Sequence, residues 1–127
     1  MMEYNSSEEK LFRFLNWQVY KDSKKVFKRI LKIVGKMPKE FRFELGSQII
    51  RSANSIILNI AEGSGKSSDK ELNRFFNIAL GSINETVANL DVLRENNFIN
   101  SEEFDTLFLE IKGVSKQLGG FKKKLNN

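Results

Sequence analysis

The stretch Ser47–Gly63, SQIIRSANSIILNIAEG, does most to limit what this chain can fold into. At about 100° per residue, Gln48, Arg51, Ser52, Ser55, Asn59 and Glu62 fall on one polar strip of a helix. Ile49, Ile50, Ala53, Ile56, Ile57, Leu58, Ile60 and Ala61 fill the other faces. So much apolar surface requires cover on most sides, so other helices must pack around this one. The polar strip then faces water, a partner chain or a polar interior network.

The rest of the chain supplies that cover. A first helix is expected from about Phe14 to Val34, with Val19, Ser23, Val26, Phe27, Ile30, Ile33 and Val34 turned inward, stopping at Gly35 ahead of Met37-Pro38. The second covers 39–62 and closes at Gly63-Ser64-Gly65, where glycine offers the left-handed conformation that ends helices. Ser68-Asp69-Lys70-Glu71 reads as a capping box opening a third helix, 68–96, with Leu72, Phe75, Phe76, Ala79, Ile83, Val87, Leu90 and Leu93 near a heptad seam. A fourth, 101–118 or beyond, starts in the acidic turn Ser101-Glu102-Glu103 and turns Phe104, Leu107, Phe108, Ile111, Val114, Leu118, Phe121 and Leu125 inward. Gly119-Gly120 weaken its end by about 1 kcal/mol each, which predicts a frayed basic tail at Lys122-Lys123-Lys124. Short breaks between amphipathic helices predict an all-α fold: a single antiparallel up-down-up-down four-helix bundle, one domain over 1–127.

Composition removes most chemistry. With neither cysteine nor histidine, the chain has no disulfide, no thiolate or imidazole metal site and no Ser-His-Asp triad. No enzyme, cofactor, metal or small-molecule substrate is expected. The N-terminus lacks the basic-then-apolar order of a signal peptide, and no apolar run nears the roughly 18 residues of a membrane span, which predicts a cytoplasmic protein. Charge is uneven: between Lys21 and Arg42, nine basic residues face two acidic ones, a net of +7 against +5 for the whole chain. That asymmetry points to an anionic partner.

Four constellations could carry function. Lys21, Lys25, Lys28, Lys32 and Lys36 lie within about 80° of arc on helix one. Like charges at i,i+4 repel by about 0.2–0.5 kcal/mol, so such a row fits a phosphate backbone, aided by Lys24, Arg29 and Lys39, or else a solvated face. Aromatic residues keep core spacing, so no base-stacking platform is expected. Arg51, Asn59 and Glu62, with Arg74 and Glu85 of helix three, form a candidate structural polar network or subunit interface. Gly63-Ser64-Gly65-Lys66-Ser67 ends like a phosphate-binding P-loop, but Ile60 stands where that motif needs glycine and no strand precedes it. Lys66 could still meet an RNA phosphate. Asn73, Asn77, Asn84 and Asn89 on helix three fit either subunit hydrogen bonding or an exposed face, and Gly81-Ser82 admits a close neighbour.

Several strings together resemble a known family: Leu15-Asn16-Trp17-Gln18, Met37-Pro38-Lys39-Glu40, Gln48–Ala53, Asn59-Ile60-Ala61-Glu62-Gly63, Ser68 with Glu71, and Arg74–Ser82. The chain is similar over 14–118 to the four-helix-bundle family labelled S23 ribosomal protein or 23S rRNA intervening-sequence protein. Two positions depart from its pattern. Ile50 replaces the first of two adjacent arginines, and Ile57 stands at a usual proline, which predicts a straighter helix two. The resemblance implies a left-handed bundle, a homopentameric ring and an association with ribosomal RNA genes. The resulting expectation is a non-enzymatic homo-oligomer that binds structured RNA through helix one. An oligomeric protein-interaction scaffold is the alternative.

Overall fold

The computed structural model describes residues 11–125, apart from the side chains of Lys123 and Leu125. The N-terminal decapeptide weighed as a signal peptide, and the inward place expected for Leu125, lie outside the described residues. A 3-10 turn, Arg13–Asn16, leads into α1, Gln18–Lys36. A helical turn, Lys39–Phe41, and a π-turn, Arg42–Gly46, lead into α2, Ser47–Ser64; α3 is Asp69–Glu95 and α4 is Ser101–Leu125. Each helix packs on the next and α4 returns to α1, so the short connections close an all-α, up-down-up-down four-helix bundle. Among the described residues there is no strand.

The joints differ from the sequence expectation in instructive ways. Helix one begins at Gln18 rather than Phe14, because Trp17 is extended (φ −76°, ψ 133°) and interrupts the ladder. That bend seats the indole 5.0 Å from the Phe121 ring and 6.2 Å from the Phe76 ring, while Arg13 Nε donates to the Ser64 carbonyl at 3.0 Å. At the other end, α2 opens through the π-turn. A Cβ on Gly46 would lie 2.7 Å from Val34 Cγ1, so only glycine lets the start of α2 sit against the end of α1. Arg42 Nη2 closes the same joint by donating to the carbonyls of Met37 (3.0 Å) and Gly35 (3.3 Å), groups that a helix end leaves unpaired.

Helix two ends on glycine for a reason other than the one expected. No described glycine has positive φ, and Gly65 is right-handed at φ −88°. Gly63 is required by contact instead: a Cβ there would meet Phe75, Phe76 and the Leu72 carbonyl at 3.2–3.3 Å. The left-handed helix stop belongs to Asn97 (φ 63°), just after α3. Only half of the expected capping box forms, since Ser68 accepts from the Glu71 amide (3.2 Å) while the Glu71 carboxylate meets Arg74. The reciprocal box lies before α4, where Asn100 and Glu103 each bond the other's amide, at 2.7 and 3.0 Å. Helix four also runs through Gly119-Gly120, because Phe121 packs on Trp17 and Phe76 and Lys122 Nζ donates to Asn77 Oδ1.

The core is built of the apolar positions read from the sequence, with Phe76, Ile30, Ile49, Ile60, Leu90 and Leu118 fully buried. Leu58 and Phe108 leave it, at 55% and 41% exposure. The closest and most extensive pairing is α2 with α3, and its seam is polar. Thr86 Oγ1 shares its proton between the Ser82 carbonyl (2.8 Å) and Ser52 Oγ (2.9 Å), and Ser52 donates to the Ile49 carbonyl. Ser55 and Ser82 hydroxyls meet at 2.8 Å, and Asn59 Nδ2 donates back to Ser55. Asn89 Nδ2 reaches Ser52 at 3.3 Å.

Two stability predictions follow from these joints. Gly46→Ala destabilises the fold by about 1–3 kcal/mol in urea titration, and adding Val34→Ala restores part of the loss by removing the colliding methyl. Thr86→Val costs about 1–3 kcal/mol by stranding Ser52 on the α3 side, and combining it with Ser52→Ala costs less than the two single changes summed.

Candidate nucleic-acid interface

A helix whose buried side is Val19, Ser23, Val26, Ile30, Ile33 and Val34 must turn its lysines outward, and α1 does so. Lys21, Lys25, Lys28, Lys32 and Lys36 are all exposed along it. Their environments differ. Lys25 Nζ lies 3.9 Å from Glu110 of α4, and Arg29 Nε lies 2.7 Å from the same carboxylate. Lys24 Nζ sits 4.8 Å over the Tyr20 ring. Lys21, Lys28, Lys32 and Lys36 have no carboxylate within ion-pair distance among the described residues. The acidic residue of α1, Asp22, is held by Gln18 (2.7 Å) and Gln117 (2.8 Å), which fixes it beside the stripe.

Toward its C-terminal end the stripe becomes one wall of a groove of about 350 Å³, in which Arg29, Lys32 and Lys36 face Asn100 and, on α4, Glu102, Glu103 and Thr106. Lys39 follows on the next helical turn and is exposed. Lys66 is separated from this group. It lies beyond α2 at the opposite end of the bundle, about 28 Å away at 1.5 Å per residue along α1, bridged to Glu62 (3.6 Å) and placed over the Phe75 ring. The P-loop-like residues form no phosphate cradle: Gly63 and Ser64 belong to α2 itself.

The other proposed constellation divides. Arg51, Glu62, Arg74 and Glu85 are exposed and do not join one network within the chain; only Asn59 of that group turns into the α2–α3 seam. Charged groups of this size cannot enter a seam narrow enough for hydroxyl-to-hydroxyl contact, so Ser52, Ser55, Ser82 and Thr86 occupy it. Arg74 instead bridges Glu71 at 3.5 Å on its own helix. Of the asparagines on α3, Asn89 joins the seam and Asn77 accepts from Lys122, while Asn84 is exposed.

Two features escaped the sequence reading. Glu110 gave no signal because its partners stand about 80 residues earlier, across the bundle. Phe43 kept a plausible core spacing, yet the π-turn leaves it 82% exposed, with Phe41 beside it at 43% and 5.2 Å from Phe98. The expectation that aromatic residues keep to core positions does not hold for Phe43.

These elements define a class: a cation-striped four-helix bundle with neither histidine nor cysteine and, among the described residues, no acidic cluster suited to a metal ion. The profile of the 23S rRNA-intervening sequence protein family matches residues 16–120, and the chain belongs to that family. A similar solved structure is a protein of unknown function from the S23 ribosomal protein family, from Bacteroides thetaiotaomicron VPI-5482. It shares 27% identity at a TM-score of 0.76, over 83% of this chain and 98% of that one. No curated protein matches significantly. The chain holds neither cysteine nor histidine, so it has no thiolate or imidazole for catalysis. Among the described residues no helix is long and apolar enough to cross a membrane.

Because the Glu110 pairs are half-exposed on the cationic side, Glu110→Gln changes stability by less than about 1 kcal/mol in thermal or urea unfolding. A larger loss would assign Glu110 a structural role.

Proposed function

We propose that this chain is a non-enzymatic bundle protein that binds structured RNA through the outward face of α1. The observation that carries the reading is the run Lys21, Lys28, Lys32 and Lys36, four exposed cations on one helix face without an ion-pair partner among the described residues. Lys28, Lys32 and Lys36, each four residues from the next, repel mildly when left to themselves, and the row becomes favourable alongside phosphates. Lys24, Lys25, Arg29 and Lys39 extend the same face, and Lys66 lies past the end of α2, at the end of the bundle where α1 begins. The family's name, 23S rRNA-intervening sequence protein, is consistent with an RNA partner.

In this reading the protein is a single domain that works in the cytoplasm as a homo-oligomer, a pentamer by the resemblance of its sequence. A ring repeats the α1 face, and repetition converts a weak site into a useful one through effective concentration. Arg51, Glu62, Arg74 and Glu85, exposed on α2 and α3, are available as subunit contacts. A second reading, an oligomeric scaffold for another protein, draws on the groove between α3 and α4. There Val87, Ile83 and Ile111 adjoin Phe108, and Leu109 next to it is 65% exposed.

Charge reversal separates the two readings. Lys21, Lys25, Lys28 and Lys32 changed together to Glu abolish binding of a structured ribosomal RNA fragment, with the helical circular dichroism unchanged. Wild-type affinity falls steeply as salt rises, and Glu110→Gln raises it by releasing Lys25 and Arg29. Unchanged affinity in the reversed protein would remove α1 from the interface.

A further inference from the structure

We propose that Phe43 is a stacking surface for an unpaired RNA base at the end of the α1 phosphate track; this rests on the RNA reading above. At 82% exposure Phe43 is the most exposed large apolar side chain among the described residues. Exposure alone means little, but the backbone that carries this ring is held from both sides. Arg42, its neighbour, is bonded to two carbonyls at the end of α1, and the Ser47 hydroxyl bonds the Phe43 carbonyl. The close approach of Gly46 to Val34 fixes the turn as a whole. A ring presented on a fixed backbone loses little freedom when a base settles on it.

The surroundings favour a nucleotide over an apolar protein surface. The neighbouring positions Lys39, Glu40, Arg42 and Glu44 are exposed and charged, so the large apolar surface exposed on this segment is confined to Phe43 and the half-covered Phe41, which leans on Phe98. An apolar protein contact needs a contiguous patch, whereas one aromatic face is enough for one base. Lys36 ends the α1 stripe and lines the groove with Arg29 and Lys32, and Lys39 stands four residues before Phe43. Phosphates following the stripe therefore reach the end of the bundle where the ring projects. Glu40 and Glu44 repel a further phosphate at the ring itself but not a base, which is neutral. The geometry selects RNA with an unpaired nucleotide adjoining a helix, such as a hairpin loop or bulge, because bases inside a duplex are already stacked.

The test compares wild type with Phe43→Ala, Phe43→Leu and Phe43→Trp, using a labelled RNA hairpin with an unpaired loop and a fully paired duplex of equal length. Fluorescence anisotropy gives the affinities and light scattering the assembly size. The expected result is a loss on the order of tenfold for the hairpin with Ala and with Leu, retention with Trp, and no change for the duplex. Wild-type affinity of Phe43→Leu, an equal loss on the duplex, or a smaller assembly in Phe43→Ala would overturn the stacking role; the last would make Phe43 a subunit contact. Binding of both RNAs by wild type, unaffected by any Phe43 change, refutes stacking and leaves the α1 reading intact. Binding of neither RNA refutes both.

Discussion

The hydroxyl seam between α2 and α3 is the constraint on which the rest of the bundle depends. Ser52, Ser55, Ser82 and Thr86 are small enough for two helices to meet along most of their length, and each hydroxyl finds its partner in the seam or on its own backbone. Buried polar groups are tolerated only when satisfied, so the seam accepts one register of α2 against α3 and rejects a slip of a turn in either direction. Once that pair is set, the Ile-rich sides of α2 and the seam of Leu and Phe on α3 face the same way. α1 and α4 then close over them.

The seam also determines where charge can go. With its polar strip divided, α2 sends hydroxyls and Asn59 inward and leaves Arg51 and Glu62 outside. α1, packed through its Val and Ile positions, has only one direction left for its lysines. The basic face is thus a consequence of packing as well as of composition, and it lies along a helix edge where, among the described residues, Glu110 of α4 is the carboxylate that ion-pairs with it.

Helix periodicity made the bundle legible because it depends on local spacing: the buried positions of α1 and α3 stand where a period of 3.6 puts them. What escaped it was set by contact across the bundle. The α2 strip read as six polar residues of one kind, because an angle on a wheel does not distinguish a serine that a neighbour will cover from an arginine that it will not. Trp17 looked helical until its packing on Phe76 and Phe121 is known, and those rings also carry α4 past two glycines. The π-turn was invisible for the same reason. It answers the meeting of Gly46 with Val34, and it moves Phe43 out of the phase that the sequence shows. The lysine stripe was readable, but its division by Glu110 was not.

That division has a consequence for how α1 meets an anion. Arg29 and Lys25 share one carboxylate, so an arriving phosphate at mid-helix has to displace a resident competitor, while Lys21 on one side and Lys32 and Lys36 on the other have no ion-pair partner among the described residues. The face is therefore not a uniform rail but two landing points separated by a guarded gap. A ligand rigid enough to touch both without pressing on the middle is preferred to a limp strand that would follow the helix throughout. Discrimination by shape can in this way arise from one glutamate on a neighbouring helix, with no contact that reads a base.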